Sequence, residues 1–176
     1  MDATTRFRAL FDTHLAAVRR YAHHRGIRGA DADDLVAEVF TVAWRRLDDV
    51  PAGDARAWLL AVAANVRRNQ ARSARRYAAA LVALPRPDAA PPPPEPADGD
   101  GPGLRRALSE LAPDDQEVLR LVAWDGLTPQ QIATVLGCPD GTARARLHRA
   151  RRRLAARLAA DATPDAPEED DHAHAR

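Results

Sequence analysis

Between residues 65 and 76 the chain places Asn65, Asn69, Arg72 and Arg76 at intervals of three or four residues, with Arg67, Arg68 and Arg75 beside them. If this stretch is helical, the four fall on one ridge. Side-chain amides can hydrogen-bond an exposed base edge, and guanidinium groups neutralise phosphate and stack on bases. The mixture suits single-stranded DNA better than duplex reading alone. A second stretch, Asp140 to Leu158, holds seven arginines against one acid. Leu147, Ala150, Leu154 and Leu158 are spaced for one buried helical face, which leaves Arg144, Arg146, Arg149, Arg151, Arg152, Arg153 and Arg157, with His148, on the others. A helix this basic, preceded by a sharp turn, is suited to a DNA major groove. A solvated basic helix on an ordinary bundle would leave the turn, the cap and the arginine asymmetry without a reason.

The elements that must carry these residues can be read outward from them. Thr128 is placed as N-cap of a short helix over Pro129–Leu136, where a proline in the first turn loses no hydrogen bond. Gly137 is a stop and Cys138-Pro139-Asp140-Gly141 a turn, so the basic helix is expected to begin near Thr142. Upstream, Leu104–Leu111 and the stretch after Pro113 add two more helices. The Asn/Arg ridge lies on a helix expected over Ala55–Arg76, burying Trp58, Leu59, Val62, Ala63 and Val66. Two helices precede it: one from about Thr5 to His24, with a stripe of Phe7, Leu10, Phe11, Leu15, Val18 and Tyr21, ended by Gly26 and Gly29; and one from about Ala32 to Leu47. Val50–Asp54 reads as a loop.

The expected architecture is therefore all-α: two small helical domains joined by a Pro-rich linker, the second a helix–turn–helix domain. Residues 5–76 form the first, 77–103 the linker, 104–160 the second and 161–176 an acidic, disordered tail. Eight of the 14 prolines lie between Leu84 and Gly103, and with no apolar period this segment cannot bury enough surface to fold, so an extended tether is expected.

The 176 residues carry a net charge of only +1, but it is segregated: +5 over Asp54–Arg76, +6 over Asp140–Leu158 and −5 from Ala159 to the end. Two basic blocks point to a polyanion partner. All 26 basic residues are arginine, a compositional bias without functional content. The single cysteine, Cys138, excludes an intramolecular disulfide and fits a cytoplasmic setting. No run approaches the ~18 apolar residues of a membrane span, and the first twelve residues lack a signal-peptide core. Metal chemistry finds no support. His23 and His24 are adjacent and cannot share a helical face, and His172 and His174 sit in the acidic tail. No nucleophile–base pair or phosphate-binding glycine loop occurs, so no catalytic residue, metal or cofactor is expected.

In order along the chain, DADDLVAEVFTVAWRRL, RAWLLAVAANVRRNQARSARR and LSELAPDDQEVLRLVAWDGLTPQQIATVLGCPDGTARARLHRARRRL resemble the bacterial RNA polymerase sigma factors of the sigma-70 family, in particular the compact extracytoplasmic-function (ECF) group. The resemblance covers roughly residues 7–76 and 104–158. It implies a non-catalytic protein that binds core RNA polymerase, recognises a two-part promoter and helps to open it. Asp34 and Glu38, one helical turn apart, would contact the polymerase; acids are also simply favoured near a helix N-terminus, which accounts for Asp31 and Asp33. Asn65 matches the family's base-contacting amide, and with Asn69, Arg72 and Arg76 would hold the minus-ten strand. The segment 49–56 matches the specificity loop. Trp58 matches a family tryptophan whose simpler role is core packing. Arg144 and Arg149 match the positions that read the minus-35 element, and His148 shares their face. Arg146, Arg151 and Arg153 would contact phosphates, and Thr142 would serve as N-cap, phosphate contact or both. Ala61, Ala64 and Gln70 depart from the family's usual residues. The resemblance further implies an anti-sigma protein as partner, which no residue here identifies. The competing reading is a free-standing helix–turn–helix regulator that binds duplex DNA without polymerase. It leaves the Asn65/Asn69/Arg72 ridge unexplained.

Overall fold

The computed structural model describes residues 2–81 and 102–162. Seven α-helices follow in order: α1 (Ala3–His23), α2 (Gly29–Arg45), α3 (Ala55–Leu81), α4 (Pro102–Ser109), α5 (Pro113–Ala123), α6 (Pro129–Leu136) and α7 (Asp140–Ala162), with a short 3-10 turn at Leu47–Asp49 before α3. The described residues contain no strand. Most of the tether and the acidic tail, His172 and His174 included, lie outside the described residues.

Local chemistry sets several helix ends. Asp2 caps α1, its carboxylate accepting from the Thr5 amide at 2.8 Å. Thr128 and Gln131 form a reciprocal capping box at the start of α6: Thr128 Oγ1 accepts from the Gln131 amide, and Gln131 Oε1 accepts from the Thr128 amide at 3.0 Å. Gly137 ends α6 in the left-handed region, φ +64°, where a side chain would be strained.

Among the boundaries that differ from the sequence reading, two bear on the basic helices. The helix α7 begins at Asp140, two residues before Thr142, because Pro139 supplies the preset backbone of a helix start and Asp140 complements the N-terminal dipole. Thr142 is thus a first-turn residue, its amide bonded to the Pro139 carbonyl at 2.9 Å, and not the N-cap. The helix α3 runs on to Leu81, so residues 77–81 are helical and not linker, since Tyr77-Ala78-Ala79-Ala80 contains no breaker.

Helices α1–α3 form one unit, with a ring cluster at one end in which Phe7 meets Phe40 edge-on at 6.3 Å and Trp44 at 5.1 Å. Helices α4–α7 form the second, around Leu111, Val118, Leu119, Leu147 and Ala150. The two units pack against each other. Leu121, Leu127, Ile132, Ala133, Val135 and Ala143 of the second share one continuous apolar cluster with Val18, Tyr21, Leu35, Leu59, Leu60 and Ala63 of the first. The helix α6 lies against α3. This explains why α3 buries Ala57, Leu60 and Ala64 beside the stripe expected from its sequence. A helix with partners on two sides needs more than one apolar face.

Candidate nucleic-acid interface

The helix α3 presents Asn65, Asn69, Arg72 and Arg76 together on its exposed side. Each asparagine is oriented by an arginine three residues on: Arg68 Nη2 donates to Asn65 Oδ1, and Arg72 Nη2 to Asn69 Oδ1, both at 2.6 Å. With the amide oxygens engaged, the NH₂ groups are the parts left to donate outward. Asn69, Arg72, Arg75 and Arg76 line one open cleft. A row of oriented amide donors among fixed guanidinium groups can hold a phosphodiester backbone and hydrogen-bond a base turned out of its stack. The departures at Ala61 and Ala64 have a packing reason: Ala64 is only 3 % exposed and Ala61 is half-buried, so small side chains suit both positions. Trp58 packs against the core and lies under the Arg46 guanidinium, 5.7 Å from its ring centroid.

On α2, Asp34 and Glu38 are exposed. Glu38 Oε2 accepts from Gln70 Nε2 at 3.4 Å, so Gln70 links the acidic helix to the ridge-bearing one.

On α7, Arg144, His148, Arg149 and Arg151 are exposed, while Thr142 and Arg146 are half-buried. The arginines divide by partner. Arg153 pairs with Asp115 at the start of α5, and Arg157 with Glu110 at 3.1 Å, which fastens α7 to its own unit. Arg144 lies 3.9 Å from Asp140. Arg149, Arg152 and Arg153 line an open cleft on the outer face. The free face thus offers Arg144, His148 and Arg149 near the N-terminal half of a recognition-type helix, the part that enters a major groove.

Two family models match these same segments. Residues 10–77 match sigma-70 region 2, and residues 103–154 match sigma-70 region 4. The ECF RNA polymerase sigma factor SigL of Mycobacterium tuberculosis is 34% identical over 151 residues, covering 84% of this chain and 85% of that protein. The chain belongs to the extracytoplasmic-function group of the sigma-70 family. Among solved structures, the sigma factor RpoE of Bartonella quintana, in complex with the anti-sigma factor NepR, superposes with a TM-score of 0.66 at 28% identity, over 88% of this chain and 98% of that one. The sigma factor CnrH, in complex with the cytosolic domain of CnrY, superposes with a TM-score of 0.58 at 30% identity, over 88% of each. The protein is thus an all-helical sigma factor that directs core RNA polymerase to promoters and assists initiation. The free-standing regulator is not favoured.

The sequence reading passed over a set of charged residues that this sigma factor buries where its two regions meet. The Arg25 side chain is 2 % exposed and the Asp125 side chain 1 %. Arg25 Nη2 donates to Glu117 Oε1 at 2.9 Å and to Asp125 Oδ2 at 3.0 Å, while its Nε lies 3.1 Å from both Glu117 oxygens. Its guanidinium carbon sits 3.4 Å from the Tyr21 ring centroid. Arg67 Nη2 reaches Glu117 Oε2 at 3.2 Å. Burial acts to raise the Glu117 carboxyl, but Arg25, Arg67 and Arg120 together hold it below its ordinary value. At Asp125 burial prevails over Arg25, and the carboxyl is raised.

His24 stacks near Trp124, ring centroids 5.3 Å apart, with Nδ1 buried, without a hydrogen-bond partner among the described residues and 3.9 Å from Asp125 Oδ1. Burial lowers its pKa; Asp125 opposes this, while Arg25, His23 and Arg20 add to it. A base depressed in the packed state takes up a proton when the packing opens. The stability it supports is complete above about 6.5, the ordinary histidine value, and declines as pH falls toward the lower packed-state value. Thermal unfolding from pH 7.5 to 5.5 should therefore show a larger loss in the wild type than in His24→Gln. Parallel profiles would remove His24 from that dependence.

Proposed function

We propose that the two regions divide promoter recognition between them, with α3 and the loop before it taking the minus-ten element and α7 taking the minus-35 element. The observation that carries this is the pair of separate arginine-rich exposed faces, one with oriented amides and one on the second helix of a helix–turn–helix. In this reading Asn65 and Asn69 donate to a base of the opened strand, and Arg72 and Arg76 hold its phosphates. Arg144, His148 and Arg149 face base edges in the major groove, where a bidentate arginine–guanine contact discriminates by about 1–3 kcal/mol. Arg146, Arg151 and Arg153 position the helix on phosphates, with Arg153 exchanging Asp115 for DNA, and Thr142 offers a first-turn hydroxyl to a phosphate. Asp34 and Glu38 supply the acidic face for basic side chains of core polymerase. Two modest contacts act together through the effective concentration that one chain imposes.

The role needs no covalent step, metal or cofactor of the chain's own, and its place is the cytoplasm, with the polymerase. No helix among the described residues is long and apolar enough to cross a membrane. An anti-sigma protein is a further proposed partner, supported by the complexes in which the similar RpoE and CnrH structures were solved.

The test is transcription by core polymerase on a randomised promoter library, with and without the protein. Initiation enriched on templates that share an upstream and a minus-ten-like motif is the expected result. Retention of particular duplexes by the protein alone, with no polymerase-dependent initiation, would overturn it.

A further inference from the structure

The seam between the two regions commits Arg25, Arg56 and Arg67 to acceptors of region 4, and inside region 4 Arg153 and Arg157 are tied to Asp115 and Glu110. The outer ridge of α7 is left undercompensated. Arg149, Arg152, Arg153 and Ala156 follow at three- and four-residue spacing and line one open cleft. Arg149 and Arg152 are exposed, and neither makes an ion pair or hydrogen bond with any described residue. Like charges three and four residues apart repel along a helix, so this ridge favours an anion laid over it. Arg152 stands about three turns beyond Thr142, past the first turns that enter a groove, so base reading does not account for it.

The matching anion belongs to the same chain. Glu168, Glu169, Asp170 and Asp171 follow one another beyond the end of α7 at Ala162, outside the described residues. Span and tether agree. Along α7, Arg152 and Arg149 lie about 15 and 20 Å back from Ala162, at about 1.5 Å per residue. The six to nine residues from Ala162 to these acids correspond to a root-mean-square reach of about 12–18 Å and a limit of about 20–32 Å. A tether whose reach matches the span presents its charges at about millimolar concentration. No other basic face is joined to these acids by so short a stretch of chain. Carboxylates fit the guanidinium fork as phosphates do. We propose that Glu168–Asp171 dock on the Arg149/Arg152 ridge of α7 as a stand-in for DNA phosphates, and that a duplex must displace them to seat α7. The docking stands on the ridge and the tether; the competition rests on α7 being the duplex-binding helix, as assigned above. Exposed ion pairs are individually weak and screened by salt, so the contact exchanges readily.

Two measurements on the full chain without polymerase test this. In the first, a nitroxide is carried at Ala173→Cys in a Cys138→Ala background. Amide relaxation is compared with that of the same chain bearing Glu168→Gln, Glu169→Gln, Asp170→Asn and Asp171→Asn. At low salt the acidic chain should broaden the amides of residues 149–156 more than the neutralised chain does, and high salt should erase the difference. Identical broadening in the two chains, or an acid-dependent effect strongest at residues 65–76, would overturn the docking. The second measurement is affinity for a random-sequence duplex, with Cys138 and Ala173 unchanged. Neutralising the four acids should tighten binding about fivefold or more, the effect of a few exposed ion pairs. Removing acids favours DNA binding from any distance, so the gain is read again in Arg152→Gln. A docked segment loses part of its hold there, and the gain should fall to about twofold or less. An equal gain in both backgrounds would make the acids a general counter-charge and overturn the proposal, as would no gain in the wild-type background. Initiation on the promoter library reads the sigma assignment separately. Its absence beside acid-dependent broadening would fail that assignment and spare the docking.

Discussion

Replacing Asn65 by alanine should slow promoter opening about tenfold or more while leaving the affinity for core polymerase unchanged. The reason lies in how the amide is held. Asn65 Oδ1 already accepts from Arg68, so the NH₂ group is what remains to meet a base acceptor. A base site built to hydrogen-bond an amide loses a buried partner when that amide goes, and each 1.4 kcal/mol of binding is a factor of ten. Polymerase affinity should be spared because Asp34 and Glu38 stand on α2, whereas Asn65 stands on α3. Asn65→Asp sharpens the test. It keeps an acceptor for Arg68 but replaces the donor with an anion beside phosphates, so it should open promoters more poorly than the alanine variant. Permanganate reactivity of the melted strand would measure opening, and fluorescence anisotropy would measure polymerase binding. Equal loss of both in Asn65→Ala would contradict the assigned role.

What the chain revealed before folding, and what it withheld, follow the range of the interactions involved. Helix α6 was legible because its signals are local: Thr128 before Pro129 at the start, and Gly137 at the stop. The ridge on α3 was legible because periodicity alone puts Asn65, Asn69, Arg72 and Arg76 together. The start of α7 was misplaced by two residues because Pro139-Asp140-Gly141 carries both turn and helix-start chemistry, and the helix-start role of Pro139 and Asp140 prevails. The seam was not legible. Arg25 meets Glu117 across 92 residues and Asp125 across 100, and neither carboxylate stands out in a chain rich in acids. One signal did point that way: Leu60 and Ala64 lie off the main stripe of α3, and their apolar character marks a second covered face.

The seam also bears on how two regions of modest size are coupled. An all-apolar contact between the two regions would join them as firmly as a domain core. Setting Arg25, Glu117 and Asp125 into that contact specifies one arrangement while lowering its net stability, since the same charges are well solvated when apart.

At the upstream element, Arg149→Ala should reduce discrimination between the best sequence and its single-base variants by roughly 5- to 150-fold at one position, the span of about 1–3 kcal/mol for a bidentate arginine–guanine contact. Arg149 is exposed on the outer face of α7 beside Arg152, whereas Arg153 and Arg157 are drawn toward Asp115 and Glu110. Its guanidinium is therefore free of the pairing that occupies the arginines one and two helical turns along. Lysine separates the two roles open to it. A phosphate contact needs only a positive charge, so Arg149→Lys would preserve affinity and specificity together. A base contact needs two parallel donors in one plane, which an ammonium lacks, so Arg149→Lys should retain most of the affinity but accept several bases at the position that Arg149 reads. Initiation from the randomised library, scored position by position for the wild type and both variants, distinguishes these outcomes. A uniform fall across all sequences in Arg149→Ala, with full recovery in Arg149→Lys, would make Arg149 a phosphate contact and move base reading to Arg144 and His148.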